Sequence, residues 1–415
     1  MLTIILQNLL WVVAATTIGP NMAFWSLAGL FRKFFGRVLL PQQSHSKYFL
    51  SDVAVVIAAH NEENSLPSCL HALCKILPSS QVFVGNDCSL DKTAIIANEL
   101  GCNVYTAPLN VGKAKILDAT IEEFKLYRKF KLILFLDADS EIDPDYFKYA
   151  LPMMADERIG VIAGHVISRP PKGVGLFGSA IHAYRVRLYG VVQYLFKFGQ
   201  TWGVFNVTFV APGFASLYRS RVLVQLDITA PGLVIEDINM TLEVHRKKLG
   251  RVGYLPQIRC CTEDPASISD YSKQVKRWNL GLWQAMRRQG LWSSLFCVAL
   301  LAAQAEVIFF ALYIILLPVL VVAALVVGGH YLLWMPNGGE YVLVSPLFPL
   351  VLLIACDVVI SAIVAVLTRN LSVFAFAPLF FIFRFIDGFW TLATIAMAFF
   401  VKSDGRWTSP KRLMR

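Results

Sequence analysis

Hydrophobic positions are unevenly distributed along the chain: they crowd both ends and alternate with polar positions in between. Residues 1–30 form an apolar run with almost no charge, longer than the roughly 20 residues a bilayer-spanning helix needs. Arg32, Lys33 and Arg37 follow that run instead of preceding it, the reverse of a cleavable signal peptide. The pattern predicts an anchor over 1–31, with its downstream end held in the cytosol by those cations. At the other end, apolar stretches at 303–327, 342–367 and 373–401 are separated by polar breaks at 328–340 and 368–372. They predict membrane helices within 285–401. Arg384 and Asp387 interrupt the last stretch at a spacing that allows them to pair across one helical turn. That stretch reads as an interfacial or re-entrant helix followed by a span. A basic tail over 402–415 (Lys402, Arg406, Lys411, Arg412, Arg415) favours the cytosolic side.

The middle, 47–284, carries a different rhythm. Short β-rich runs at 53–59, 81–87, 103–108 and 132–139 alternate with helical spacing at 65–76, 91–100, 113–127 and 145–155. Alternation of this length predicts an α/β domain with a mostly parallel sheet and helices on both faces. Ligands of such sheets bind beyond the carboxyl ends of the strands, so those ends are where chemistry is expected.

Composition sharpens the membrane reading. Apolar residues make up 56% of the chain and charged residues 16%, against about 25% charged in ordinary globular domains. The net charge of +10 sits largely beside the apolar segments, where anionic headgroups account for it. No basic-aromatic cluster of nucleic-acid type is present, and nucleic acid is excluded as a partner. The eight cysteines have no paired spacing, which argues against a zinc site or a disulfide framework and for reduced thiols.

The strand ends are polar. The first runs into His60-Asn61-Glu62-Glu63 and the second ends Asn86-Asp87-Cys88-Ser89-Leu90-Asp91. Asn110-Val111-Gly112-Lys113 opens a helix, and the fourth strand ends Asp137-Ala138-Asp139. Asp91 and Asp145 read as turn or cap residues. Asp137 and Asp139, two apart in a strand, would point to one side and could hold one hard divalent ion together with phosphate oxygens. Lys113 beside Gly112 at a helix start suits a phosphate clamp. Glu236 and Asp237 precede another helical segment; one could act as a general base, although taken alone the pair is better explained by helix capping. Gln274, Arg277 and Trp278 combine an amide, a guanidinium and an indole, suited to diphosphate and a sugar face, or simply to a membrane-proximal helix.

In this order the motifs resemble the processive membrane synthases of glycosyltransferase family 2, which make cellulose, chitin, hyaluronan and poly-β-1,6-N-acetylglucosamine. The layout is most similar to the poly-N-acetylglucosamine synthases, down to Arg406-Trp407-Thr408-Ser409-Pro410 in the tail. The resemblance implies a GT-A type, Rossmann-like cytosolic domain between N- and C-terminal transmembrane helices of a multi-pass plasma-membrane enzyme. It implies a UDP-sugar donor, with N-acetylglucosamine the leading sugar, a growing glycan as acceptor, and Mg²⁺ or Mn²⁺ as cofactor. Ala59, Glu62 and Asp87 would line the nucleoside pocket, and Lys113 would meet the diphosphate. Asp137 and Asp139 would hold UDP and the metal. Asp237 would be the base beside Glu236, while Gln274, Arg277 and Trp278 would sit over the diphosphate and acceptor end. A strand over 210–214 containing Gly213 would lie near the acceptor. Room is left for a small accessory membrane subunit. The sequence departs from the family pattern at Asn86, Ile235 and Asn279. Transfer of one sugar to a lipid, as in ceramide glucosyltransferases, and a catalytically silent membrane scaffold are the alternatives.

Overall fold

The computed structural model describes residues 19–35, 47–170, 173–326, 331–334, 341–344 and 348–401. The first part of the expected anchor and the basic tail lie outside these residues. The remainder of the anchor is a helix, α1 (Pro20–Phe35). It begins just after Gly19, whose backbone takes a positive φ of 66°. One of its faces is buried through Trp25, Ala28 and Gly29. Gly29 and Gly199 allow the contact: a Cβ on Gly199 would lie 2.2 Å from the Trp25 carbonyl oxygen. Arg32 fixes the docking by donating to the Phe198 carbonyl at 2.6 Å and Thr201 Oγ1 at 2.8 Å. The residues expected to face lipid are therefore partly applied to the middle domain.

That domain follows the sequence rhythm: β1 (Val53–Ala59), α2 (Leu66–Cys74), β2 (Val82–Asn86), α3 (Thr93–Glu99), β3 (Asn103–Thr106), α4 (Lys113–Phe124) and β4 (Leu132–Asp137). These are followed by β5 (Glu141–Ile142), α5 (Tyr146–Met153), β6 (Ile159–Ala163), β7 (His165–Arg169), α6 (Leu176–Gly190), β8 (Ala215–Arg219), α7 (Glu236–Arg246), β9 (Arg251–Gly253), β10 (Arg259–Glu263) and α8 (Ile268–Gln289). The main sheet has seven strands in the order β3-β2-β1-β4-β8-β6-β9. Every residue of β1 is buried, as expected of a central strand covered on both faces.

The sheet is mixed, not mostly parallel. Strands β1 to β4 pair in parallel, but β8 runs antiparallel to both β4 and β6. The inversion has a functional consequence. With Leu136 opposite Ala215, the entry to β8 lies beside the carboxyl end of β4. The expected strand over 210–214 is irregular, and β8 starts only at Ala215. Pro212 has no N–H to give a ladder, and the N–H groups of Ala211 and Gly213 go to the side chains of Thr241 and Asp237.

The C-terminal apolar runs become α9 (Leu295–Val326), α10 (Phe348–Thr368) and α11 (Phe380–Phe400). The segments Leu295–Val319 and Ala377–Phe400 are long and apolar enough to cross a membrane. The second apolar run is divided, since Tyr341–Val344 pairs as a strand with Tyr331–Trp334. Arg384 and Asp387, whose spacing would let them pair with each other, find other partners. Arg384 pairs with Asp357 of α10, which also takes Arg187 of α6. Asp387 accepts hydroxyls from Tyr184 at 2.7 Å and Tyr271 at 2.6 Å. Neighbouring elements offer both groups better partners than one turn of the same helix does.

Candidate active site

The carboxyl ends of β1, β2 and β4 lie side by side, with Ala59 opposite Asn86 and Ala58 opposite Asp137. The loops leaving them are held by their own side chains. His60 Nδ1 lies 2.6 Å from the Asp87 carbonyl oxygen. Glu62 is buried, with its N–H donated to Thr93 Oγ1 at 2.8 Å. Asp91 turns the chain as expected, accepting from Thr93 N at 3.0 Å. Asp145 differs: it occupies the cap position of α5 without a capping bond and pairs with Lys148 at 3.5 Å. Asp143 accepts the Asp145 N–H instead.

Asp87 is fully buried, and its two oxygens accept the N–H groups of Val111 at 2.7 Å and Gly112 at 2.8 Å. Two backbone donors just ahead of the helix, those of Val111 and the cap residue Gly112, are thus engaged by a carboxylate of the same domain. Gly112, at φ 91°, makes this turn without the cost a side chain would add. What the turn presents is Lys113. Its Nζ lies 2.7 Å from Asp137 Oδ1 and 3.3 Å from Glu236 Oε1. Burial works against the Lys113 charge, but Asp137 and Glu236 outweigh it and push its pKa up.

Asp139 is not in the strand. β4 ends at Asp137, and Ser140 N closes a turn on the Asp137 carbonyl at 3.0 Å. Strand alternation therefore does not govern the pair. The two carboxylates still feel each other: burial first, then Asp139 and Glu236, raise Asp137 against the lowering influence of Lys113. Asp137 and Asp139 supply hard oxygen donors, and among the described residues no cluster of three or more candidate ligands forms. That set suits an ion such as Mg²⁺, which is usually held by one or two carboxylates plus phosphate oxygens and water. The Lys113 ammonium against Asp137 marks the place as one that favours a cation.

Glu236 and Asp237 open α7, where the helix dipole favours negative charge. Capping does not use them up. Burial would raise Glu236, but Lys113 overrides it and holds the carboxyl below its ordinary range, with Arg277 acting in the same direction. Asp237 faces the entry to β8. Its Oδ2 accepts the Gly213 N–H at 2.9 Å and its Oδ1 the Ile238 N–H at 2.7 Å. Burial, then the neighbouring Glu236 charge, push its carboxyl up to about 6. A side chain at Gly213 would crowd this corner, because its Cβ would lie 3.3 Å from both Asp237 Cβ and Glu236 Oε1.

Helix α8 brings in Gln274, Arg277 and Trp278. It is tied to the α7 entry by Gln284, whose Oε1 accepts the Val234 N–H at 3.1 Å. Gly281 lets the helix pack directly on Ile235. Gln274 Oε1 accepts from Arg185, whose guanidinium lies 5.2 Å from the Trp278 ring centre.

Two residues here lie outside the sequence motifs. Lys197 lies in a π-helical turn, Val191–Lys197, and is almost fully buried. Its ammonium lies 5.6 Å from the Tyr254 ring centre, and burial, opposed by Asp237, lowers it to about 8. Arg185 is buried with its side chain 1% exposed. A charged residue inside an otherwise apolar helical run was the only available hint for either.

The glycosyltransferase-like family 2 model matches residues 51–281, the stretch that carries the sheet, the acid cluster and α8. The chain belongs to this family. It is a glycosyltransferase with a GT-A, Rossmann-like α/β fold. Among curated proteins, the transferase is 26% identical over 250 residues to the hyaluronan synthase of Streptococcus pyogenes, covering 55% of this chain and 56% of the relative. It thus spans just over half the length of that relative. It is also 32% identical over 102 residues to the 4,4'-diaponeurosporenoate glycosyltransferase of Staphylococcus haemolyticus, covering 23% of this chain and 26% of the relative. Among solved structures, it resembles the mannosyltransferase PcManGT of Pyrobaculum calidifontis in complex with GDP-Man and Mn²⁺. The TM-score is 0.57 at 14% identity, covering 95% of this chain and 99% of the other.

Proposed function

We propose that this glycosyltransferase transfers a sugar, N-acetylglucosamine first among candidates, from a UDP-sugar to a growing β-linked polysaccharide, with inversion at the anomeric carbon. The observation that carries this reading is Asp237. Its carboxyl is fixed by the Gly213 N–H, while the Lys113 ammonium pairs with Asp137 and Glu236. A carboxyl pushed up to about 6 is basic enough to take a proton from an acceptor hydroxyl and is still ionised at neutral pH. The hydroxyl oxygen then attacks the anomeric carbon as the bond to the diphosphate breaks, and single displacement inverts the centre.

Lys113 and Arg277 would balance charge developing on the diphosphate. Asp137 and Asp139 would hold a divalent ion, which when bound would neutralise the leaving group. Ala59, Glu62 and Asp87 shape the nucleoside end, Asp87 by pinning the turn before Lys113. Gln274 and Trp278 cover the diphosphate and the acceptor sugar. The similarity to hyaluronan synthase over the matching half of the chain supports a polymer product. Apolar side chains exposed along the C-terminal helices, among them Val298, Leu301, Ile363, Val366 and Phe389, support a lipid environment and a multi-pass membrane protein with the site on the cytosolic side. The domains then run as an anchor over 1–31, a catalytic domain over 47–284, membrane and interfacial helices over 285–401 and a basic tail. An accessory membrane subunit is compatible with this layout.

A second reading, transfer of one sugar to a membrane lipid, is favoured by the similarity to the 4,4'-diaponeurosporenoate glycosyltransferase. Radiolabel incorporation from a panel of UDP-sugars by protein reconstituted in lipid separates the two. High-mass product from one donor, lost in Asp237→Asn, supports the polymerase. Label in the organic phase would replace it with a glycolipid-forming enzyme.

A further inference from the structure

Arg185 is the most elaborately bound side chain near the cleft. It lies on α6, a helix outside the motifs by which the site was recognised, and its side chain is 1% exposed. Its Nε donates to Asp264 Oδ1 at 2.6 Å, and its two terminal nitrogens donate to Gln274 Oε1 and the Tyr189 hydroxyl. The guanidinium plane also lies against two rings, 4.7 Å from the Tyr189 centre and 5.2 Å from that of Trp278.

Asp264, just after β10, has no side-chain exposure. It also accepts from Ser168 Oγ at 2.6 Å and faces His182 Nδ1 at 2.8 Å. A buried carboxylate with three partners is a fixed point. A buried guanidinium retained on it needs a reason beyond stability, because an apolar pair of the same volume is often as stable.

The chemistry of Gln274 supplies the reason. A guanidinium only donates, so the Gln274 atom it meets must be the amide oxygen. The amide NH₂ is thereby turned the other way and has no partner among the described residues, leaving two donors for an oxygen-rich ligand. Without Arg185 the amide could rotate and present its oxygen to the same ligand, which would repel phosphate or hydroxyl lone pairs.

We propose that Arg185, anchored by Asp264, is a positioning residue for glycosyl transfer that sets the Gln274 amide with its NH₂ toward the substrates and seats Trp278. The proposal rests on the reading that Gln274 and Trp278 cover the donor diphosphate and acceptor end. A lysine cannot replace this function, since a single ammonium cannot reach three partners in a planar fork.

The test is a double-mutant cycle between Arg185→Lys and Gln274→Ala in the full chain in lipid, with turnover and nucleotide-sugar binding measured separately. UDP-N-acetylglucosamine and GDP-mannose are used in parallel. Arg185→Lys should lower kcat about 10- to 100-fold, the scale of one lost charge-assisted hydrogen bond, with the Kd for the sugar nucleotide within about twofold. In the Gln274→Ala background the same change should cost less than about threefold, because its target is gone. Equal losses in both backgrounds, or a Gln274→Ala enzyme as fast as the parent, would overturn the proposal. Where Arg185→Lys does not fold, Asp264→Asn replaces it in the cycle, loosening the anchor of Arg185, with the same criteria. Turnover of GDP-mannose alone would sink the UDP-sugar reading and leave the Arg185 cycle fully readable.

Discussion

The Gly213 N–H donates to Asp237 Oδ2 across 2.9 Å, joining the irregular entry of β8 to the first turn of α7. Thr241 reinforces the joint by accepting the Ala211 N–H at 3.0 Å and donating to the Asp237 carbonyl at 2.8 Å. One carboxylate is thus aimed from two elements distant in sequence.

Replacing Asp237 with Asn removes the proton acceptor and leaves the side-chain shape. Transfer should fall about 10²- to 10⁴-fold, the usual worth of a general base, while the Kd for UDP stays near that of the parent. Calorimetric titration with UDP beside a radiolabel assay checks both. Near-parental turnover would remove Asp237 from the role of base.

The pH profile follows from the same group. A base must be ionised to act, and Asp237 titrates near 6. Activity should therefore be lost as pH falls through about 6 and reach a plateau above about 7. A flat profile between pH 5 and 7 would contradict the assignment.

Gly213→Ala keeps the N–H but places a Cβ 3.3 Å from Asp237 Cβ and Glu236 Oε1. The acids must give way by a few tenths of an ångström. Turnover should drop about 10- to 100-fold through misalignment, with a thermal midpoint close to the parent's. An unchanged kcat would mean that this corner tolerates displacement.

Asp139→Asn should weaken UDP binding only where Mg²⁺ or Mn²⁺ is present, and chelation should reduce the parent to the same level. Titrations with and without the metal decide it. Equal affinities in all four conditions would show that no ion bridges Asp139 and the nucleotide.

At the junction with the apolar helices, Asp357 serves both Arg187 and Arg384. Asp357→Ala leaves two poorly hydrated cations facing each other and should destabilise by about 3–5 kcal/mol, the scale for breaking a buried pair. Arg384→Met leaves Asp357 still paired with Arg187 and should cost less. Thermal unfolding in detergent ranks the two; the reverse order would mean that the cations find other partners.

Much of the domain was legible in the sequence because each element carries its own hydrophobic periodicity. β1 through β4 are short apolar runs bounded by polar turns, and their boundaries moved by only one or two residues between pattern and structure. The C-terminal apolar stretches were legible as long helices because their length and composition suit one. The clustering of polar residues at strand ends followed from the sheet's geometry.

Tertiary structure decided everything that depends on pairing across distance. No local pattern states that β8 runs backwards beside β4 and so delivers Gly213 to Asp237. None states that Asp87 engages the Val111 and Gly112 N–H groups, or that the Lys113 side chain meets Asp137 and Glu236. Arg384 and Asp387 sit one turn apart in sequence, yet each is satisfied by another helix. Arg185 reaches Gln274 across 89 positions. Hydrophobic periodicity is a property of a segment, whereas a buried charge is stable only beside its partner. The sequence therefore determined which elements form, and the packing of those elements determined which charges meet.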